Sequence, residues 1–332
     1  DSMKFNYNGV SQFSSIRNTA SSSTLDRLGF KSEGTNLNLR YQNNTIIADS
    51  LFGIKYNLWS LNLNKYGFYQ LNSEKSMRIY QNNNAAQLAI LTDGVYKDTP
   101  FTVNTLDNQS NLLNALSGLN LTYFKRAPSQ LLDKDAKSLN QRVAKRNSHS
   151  NKDSVTVTYQ VTTPPHSQLY VSIPNISWSD DTPHSLSTTV NGVTKSQITD
   201  NTFDFFDLGY FETESMVTIK LSFPGNKAIS FDNPSFYALD TQNYQIAMDT
   251  INERDSKVTT SKNKVFVDYS SKTNASLFFT IPYDKGWTAT INHKKVKIQR
   301  AQKGFMKVDV PSGKGKVVLT FIPYGLKTGS LI

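Results

Sequence analysis

Residues Phe278 to Lys327 constrain the fold more than any other stretch. Trp287, Ala289 and Ile291 alternate with Thr288, Thr290 and Asn292; after a polar turn, Val296 and Ile298 alternate with Lys295, Lys297 and Gln299. Phe305 to Pro311 and Lys316 to Ile322 add two apolar runs, with Gly, Pro or Asn between the segments. A period of two sends successive side chains to opposite faces of a strand, so four such runs predict an antiparallel meander. The meander closes a β-domain.

The middle of the chain has the same character. Val155, Val157, Tyr159 and Val161 alternate with Thr156, Thr158 and Gln160. Leu169 to Ile173, Leu186 to Val190, Phe203 to Leu208 and Met216 to Phe223 follow at regular spacing, and Asn191-Gly192 is a strong hairpin turn signal. Such spacing predicts a sandwich or jelly roll. Leu239 to Arg254 reads as a short helix or turn, with Tyr244, Ile246, Met248 and Ile251 as its apolar set.

The first 125 residues are mixed. Thr24 is placed to cap a short helix through Leu28, with Gly29 as its stop. Asp107 or Asn108 is placed to cap a helix carrying Leu112, Leu113 and Leu116 and ending at Gly118. Phe68 to Leu71, Met77 to Tyr80, Leu88 to Leu91 and Leu119 to Phe124 read as strands. Between residues 125 and 152 the chain turns basic, and Leu131, Leu132, Leu139 and Val143 recur at roughly helical spacing. This stretch reads as a linker or as a basic helix touching an anionic surface. The predicted class is therefore α+β and mainly β. An α/β domain spans 1–125, a basic linker or helix 126–152, a jelly-roll-like β-sandwich 153–239 and a C-terminal β-domain 240–325.

No apolar run approaches the ~20 residues that span a bilayer, and no basic-then-apolar leader starts at Asp1, so the chain reads as a soluble piece of something larger. It has no cysteine, which excludes a disulfide scaffold and a thiolate metal site. Its net charge is +10, which draws a chain to polyanions unless the lysines merely form a solvated surface. Nucleic acid is disfavoured as the partner, because no RNP-like, zinc-finger or helix-turn-helix signature is present.

Few residues suggest chemistry. His149, His166, His184 and His293 have no metal-ligand spacing among them. Asp180 with Asp181, and Asp204 with Asp207, are the pairs a glycosidase reading would need, although Asp180-Asp181 lies in a Ser-Asp-Asp-Thr-Pro loop, where turn chemistry or a structural calcium accounts for it as well. Asp49 interrupts an apolar run and is either a helix N-cap or turn carboxylate that accepts backbone N–H bonds, or a catalytic or substrate-binding acid. Trp178 and Trp287 are either sugar platforms, offering a flat apolar face to a pyranose, or plugs at the ends of sheets.

Two strings are more specific. Ser276 to Trp287, containing Pro282-Tyr283-Asp284-Lys285-Gly286-Trp287, resembles the C-terminal extracellular region of the bacterial YfhO membrane-protein family, as do Gly304-Phe305-Met306, Val317 to Pro323 and Gly325 to Gly329. Asp49-Ser50-Leu51-Phe52-Gly53-Ile54-Lys55-Tyr56 and Phe5 to Ser15 resemble its earlier motifs. Asn292-His293 departs from the expected Asn-Gly and leaves the turn type open. The resemblance implies a polytopic glycosyltransferase of the GT-C type on the extracellular face of the cell membrane. Such an enzyme moves a sugar from an undecaprenyl-phosphate donor to lipoteichoic acid or a related envelope polymer. The catalytic acid would lie elsewhere, so no catalytic residue and no cofactor is expected here. The partners implied are the membrane domain of the same chain, reached through a following membrane helix, the anionic polymer and the polyprenyl-phosphate sugar. On this reading Lys285, Lys294, Lys295, Lys297, Arg300, Lys303 and Lys307 contact acceptor phosphates or lipid headgroups, and Trp178 and Trp287 contact sugar. The alternative is a bracing, interaction or carbohydrate-binding module with no part in catalysis.

Overall fold

The computed structural model describes residues 12–13, 18–32, 38–40, 44–146, 154–178, 185–198, 205–225, 228–323 and 325–326. Two antiparallel β-sandwiches flank a layer of four helices, α1 (Thr19–Arg27), α2 (Ile46–Leu51), α3 (Thr105–Ser117) and α4 (Thr241–Asn252).

In the middle sandwich, a sheet of five strands runs in the order Val193–Ile198, Ser185–Val190, Ser215–Pro224, Ser154–Thr163, Ser129–Leu131. It faces a sheet of four, Phe205–Phe211, Ser167–Ser172, Ser235–Asp240 and Phe124–Arg126. The alternation read in Ser154–Thr163 is realised: Val155, Val157, Tyr159 and Val161 are buried between the sheets with Val217, Ile219, Leu221 and Phe223. In the C-terminal sandwich, Ser256–Ser261, Lys264–Ser271, Gly313–Phe321, Trp287–Ile291 and Lys294–Val296 form one sheet. Gln299–Ala301, Phe305–Val310, Ala275–Phe279 and Ala89–Leu91 form the other. The expected closing meander is thus corrected: its strands divide between two facing sheets. Residues 296 to 301 carry the chain from one sheet to the other.

The four-stranded sheet of each sandwich also buries its outer face. Phe278 and Phe305 from one sheet, and Tyr170 and Leu239 from the other, enter the helical core with Ile46, Leu113, Tyr244 and Met248. This explains why Ala275–Phe279 is buried at every position instead of at alternate ones.

Several local readings change. Asn18 caps α1, accepting from the Ser21 N–H at 3.1 Å, and Thr24 lies within the helix, where its hydroxyl donates to Gln302 O at 3.0 Å. Asn104 caps α3, while Asn108 turns inward to hold Thr102 N–H and Arg27 O. Thr45 caps α2, so Asp49 is not a cap. Leu119 and Leu121 pack half-buried on the helical core, and the strand predicted there is Phe124–Arg126. No helix forms over 129–146: three strands stand there, Ser129–Leu131, Lys137–Leu139 and Arg142–Arg146. Pairing with Tyr159–Val161 and Ala228–Asp232 supplies backbone partners that outweigh a weak 3.6-residue pattern, and Leu132, which a helix would bury, is exposed. Asn292 and His293 have φ of 47° and 70°, the two positive values of a type I′ hairpin, so His293 occupies a position that favours glycine.

A candidate polyanion-binding face

The turn before Trp287 is held tightly. Asp284 accepts the Gly286 N–H at 2.6 Å through its carboxylate and the Trp287 N–H at 3.2 Å through its carbonyl. A Cβ on Gly286 would stand 2.5 Å from Ile322 O, so only glycine lets this turn lie against the end of Gly313–Phe321. Trp287 leaves the turn half-buried, its ring 5.0 Å from that of Phe321. The exposed Lys285 and Lys295 join Trp287, Tyr283 and Asp284 around a cleft of about 260 Å³.

Tyr283 links this cleft to a second. The Arg300 guanidinium sits 4.7 Å from the Tyr283 ring centre. Arg300 also lines a cleft of about 430 Å³ with Lys303, Arg27 and Phe101. Lys303 lies 5.9 Å from the Phe101 ring, and Arg27 donates to Thr102 O at 3.1 Å. The hairpin tip that presents Lys303 is anchored by buried Gln302. Its amide donates to Thr99 O at 2.8 Å, its side-chain oxygen accepts from the Tyr96 hydroxyl at 2.6 Å, and its N–H donates to Asp98 at 2.8 Å. Among the described residues, no carboxylate lies in ion-pair range of Lys285, Lys295, Arg300, Lys303 or Arg27. Arg300 and Lys303 lie over rings and Arg27 donates to a backbone carbonyl, which leaves their charge available to an anion.

Four residues of the expected basic block therefore meet on one face. Lys294 and Lys297 are exposed but line neither cleft. Lys307 does not belong to the face: it is buried beside Phe278, donates to Tyr96 O at 2.8 Å and pairs with Asp309 at 3.1 Å. Five of the six positions of its strand are buried, because the side that looked free is covered by the chain at Tyr96 and by the core that Phe278 and Phe305 enter. Arg27 was missed because it arrives from the other end of the chain; only its place in the last turn of an early helix marked it.

Trp178 is half-buried and edge-on to Phe223 at 5.7 Å. It lines a separate cavity of about 930 Å³ with Lys134, Lys137, Lys145 and Arg146, and this cavity shares no residue with the Trp287 cleft. Lys145 there is already held by Asp133 at 2.9 Å. Buried Asp207 accepts from Gly209 N–H at 2.7 Å and Gln168 at 2.8 Å, a structural arrangement. Asp180, Asp181, Asp204, His149 and His184 lie outside the described residues. His166 faces Glu212 at 3.3 Å.

The largest feature sequence reading missed is the partner of Asp49. The wholly buried Asp49 carboxylate pairs with the wholly buried Lys65 ammonium, which also donates to Asn44 O at 3.2 Å. Ser50 meets the Tyr244 hydroxyl at 2.6 Å and accepts from Asn82 at 3.0 Å, so the motif around Asp49 ties α2 to α4 and to the sheet over it.

Among solved structures, a Paenibacillus cycloisomaltooligosaccharide glucanotransferase in complex with cycloisomaltoheptaose is 8% identical, over 58% of this chain and 44% of that one, with a TM-score of 0.24. A ruminal GH26 endo-β-1,4-mannanase is 19% identical over 26% of this chain and 18% of that one, with a TM-score of 0.18. Neither score is high enough to carry an argument. The uncharacterized protein YfhO of Bacillus subtilis strain 168 is 26% identical over 124 residues, which are 35% of this chain and only 14% of that protein. No helix among the described residues is long and apolar enough to cross a membrane. The family described as bacterial membrane protein YfhO matches residues 1–332, and the chain belongs to it.

Proposed function

We propose that this chain is an extracellular part of a membrane glycosyltransferase of the GT-C type, and that its basic face holds the acceptor. The donor would be an undecaprenyl-phosphate sugar and the acceptor lipoteichoic acid or a related polyanion, with catalysis residing in the membrane domain of the same protein. One observation carries the reading: Lys285, Lys295, Arg300, Lys303 and Arg27 line two clefts joined by Tyr283 and lack carboxylate partners among the described residues, with Trp287 in the same face. Phosphates of a polymer fit the cations, and the C–H face of a sugar fits the indole. Holding the polymer raises its local concentration at a distant active site.

The test is a titration of the isotope-labelled chain with glycerol-phosphate polymer, followed by NMR at low and high salt. Shifts confined to the two clefts and weakened by salt are expected. In the full-length enzyme, the triple variant Lys285→Glu, Lys295→Glu, Arg300→Glu should lower kcat/KM for polymer roughly tenfold. Unshifted spectra with unchanged turnover would reassign the region to bracing the membrane domain.

A further inference from the structure

Tyr56–Trp59, Met77–Asn82 and Phe68–Glu74 form a three-stranded sheet with Met77–Asn82 at its centre. Its inner face is ordinary: Phe68 and Tyr80 enter the helical core, and Asn82 donates to Ser50 at 3.0 Å. The outer face is not. A sheet with one buried face normally turns polar side chains to water. Here Tyr56, Leu58, Tyr69, Leu71 and Met77, with Leu61 just beyond the first strand, are between 41% and 60% exposed. The register sets Tyr56 and Tyr69 on either side of Gln81, places Leu58 opposite Ile79 and Met77 opposite Glu74, and leaves Leu71 at a bulge between Gln70 and Asn72, so the apolar residues form a patch with Gln81, Asn72 and Glu74 among them. Its area is on the order of 500 Å², the scale at which exposed apolar surface marks an interaction site.

Cations bracket the patch. Lys55 lies at one end, with its ammonium 5.8 Å from the Tyr56 ring, and Lys75 occupies the hairpin tip between Glu74 and Met77 at the other. We propose that this face docks on a lipid bilayer surface, with Leu58, Leu71 and Met77 at the headgroup–acyl boundary, the tyrosine hydroxyls at headgroup level and Lys55 and Lys75 against anionic headgroups. Three observations select lipid as the occupant. The surface is an open sheet face, and none of its residues lines the clefts described above. Its aliphatic centre, tyrosines and flanking lysines match the layering of a membrane interface. The chain also belongs to a membrane-protein family. The inference does not depend on the acceptor reading, since the two faces have no residue in common.

The experiment is co-sedimentation of the 332-residue chain with phosphatidylcholine vesicles, with and without phosphatidylglycerol. Binding to both is expected, with a salt-sensitive gain from phosphatidylglycerol. Leu58→Ser with Leu71→Ser should lower the partition coefficient on both vesicles at least about tenfold, since two partly buried leucines are lost. Lys55→Gln with Lys75→Gln should remove only the phosphatidylglycerol gain. Val103→Ser, at the most exposed large apolar residue elsewhere among the described residues (97%), should change nothing. A thermal melt of each variant reports its fold. No binding by the unaltered chain, or binding indifferent to the leucine pair, would overturn the proposal. Self-association abolished by the leucine pair, without vesicle binding, would also overturn it by making a second copy the occupant. Polymer titration of the leucine variant should match the unaltered chain, which separates failure here from failure of the acceptor reading.

Discussion

Lys65 and Lys303 carry the same charge into opposite surroundings. In the helical layer, the Lys65 ammonium is wholly buried, paired with an equally buried Asp49 and set 4.9 Å from the Phe68 ring. On the basic face, Lys303 is exposed over Phe101 and Arg300 over Tyr283, with no carboxylate in range among the described residues. Removing an ion from water costs several kcal/mol, and a buried cation held by a close anionic partner is unavailable to a ligand. An exposed cation incurs little of that cost and keeps its field for whatever arrives. The charge that matters to a polyanion is the part the fold leaves unpaired, not the chain's net +10.

The sharpest way to break this contrast is Lys65→Met. The variant leaves the Asp49 carboxylate buried without its cation and should lose about 3–5 kcal/mol in urea denaturation. Adding Asp49→Leu should restore most of the loss, because two apolar groups then replace the pair. A single variant within about 1 kcal/mol of the unaltered chain would mean that the pair is not desolvated and that the two regions differ less than their geometry says.

Arg254 tests the same idea with less at stake. It donates to Leu116 O at 2.6 Å, to Leu91 O at 2.7 Å and to Ser117 O, joining the end of α3 to a strand of the C-terminal sandwich. Burial pulls its pKa below the ordinary arginine value, with Asp93 opposing. Arg254→Met should cost about 2–3 kcal/mol by leaving charge-assisted hydrogen bonds unmade. Arg254→Lys should not rescue it, since one ammonium lacks the fork that reaches carbonyls on two elements. Arg300→Met, on the open face, should stay within about 0.5 kcal/mol.

These residues also show what was legible beforehand. Ser154–Thr163 and Ser215–Pro224 alternate because one face of each strand meets the core, and periodicity alone finds such strands. The hairpin at Asn191-Gly192 was equally plain, because its turn needs positive φ at both positions. The helix caps were misplaced because Asn and Thr occur both at caps and inside these helices, and tertiary hydrogen bonds to Gln302 and Arg27 decided which was which. The Asp49–Lys65 pair depends on a loop closing across sixteen residues, which no local pattern encodes. Lys307 was misjudged for a related reason: alternation gives the two faces of a strand but not whether a second layer covers the outer one. Lys285, Lys295 and Arg300 were found because they lie close together in one basic stretch of the chain, whereas Arg27 joins them only through the packing of α1 on the 302–305 hairpin.

The smallest effect should come from Asp309, which lies between the two extremes at 35% exposure. Burial alone would raise its pKa, but hydrogen bonds from Ser276, Lys307 and Gln299, with the charge of Lys307, outweigh it and hold the carboxyl below its ordinary value. A carboxyl depressed in the folded state contributes stability that is present above its unfolded pKa of about 4 and is lost as pH falls through the folded value. Asp309→Asn should therefore lower Tm at neutral pH, and the gap to the unaltered chain should narrow as pH falls below about 4, because protonation removes from the parent what the variant already lacks. Solvent screening at this exposure keeps the effect modest. Thermal melts of both proteins at neutral and acid pH measure the gap. A gap that stays constant with pH would show that the Lys307–Asp309 pair contributes no charge interaction, and that Lys307 is retained inside by its hydrogen bond to Tyr96 O alone.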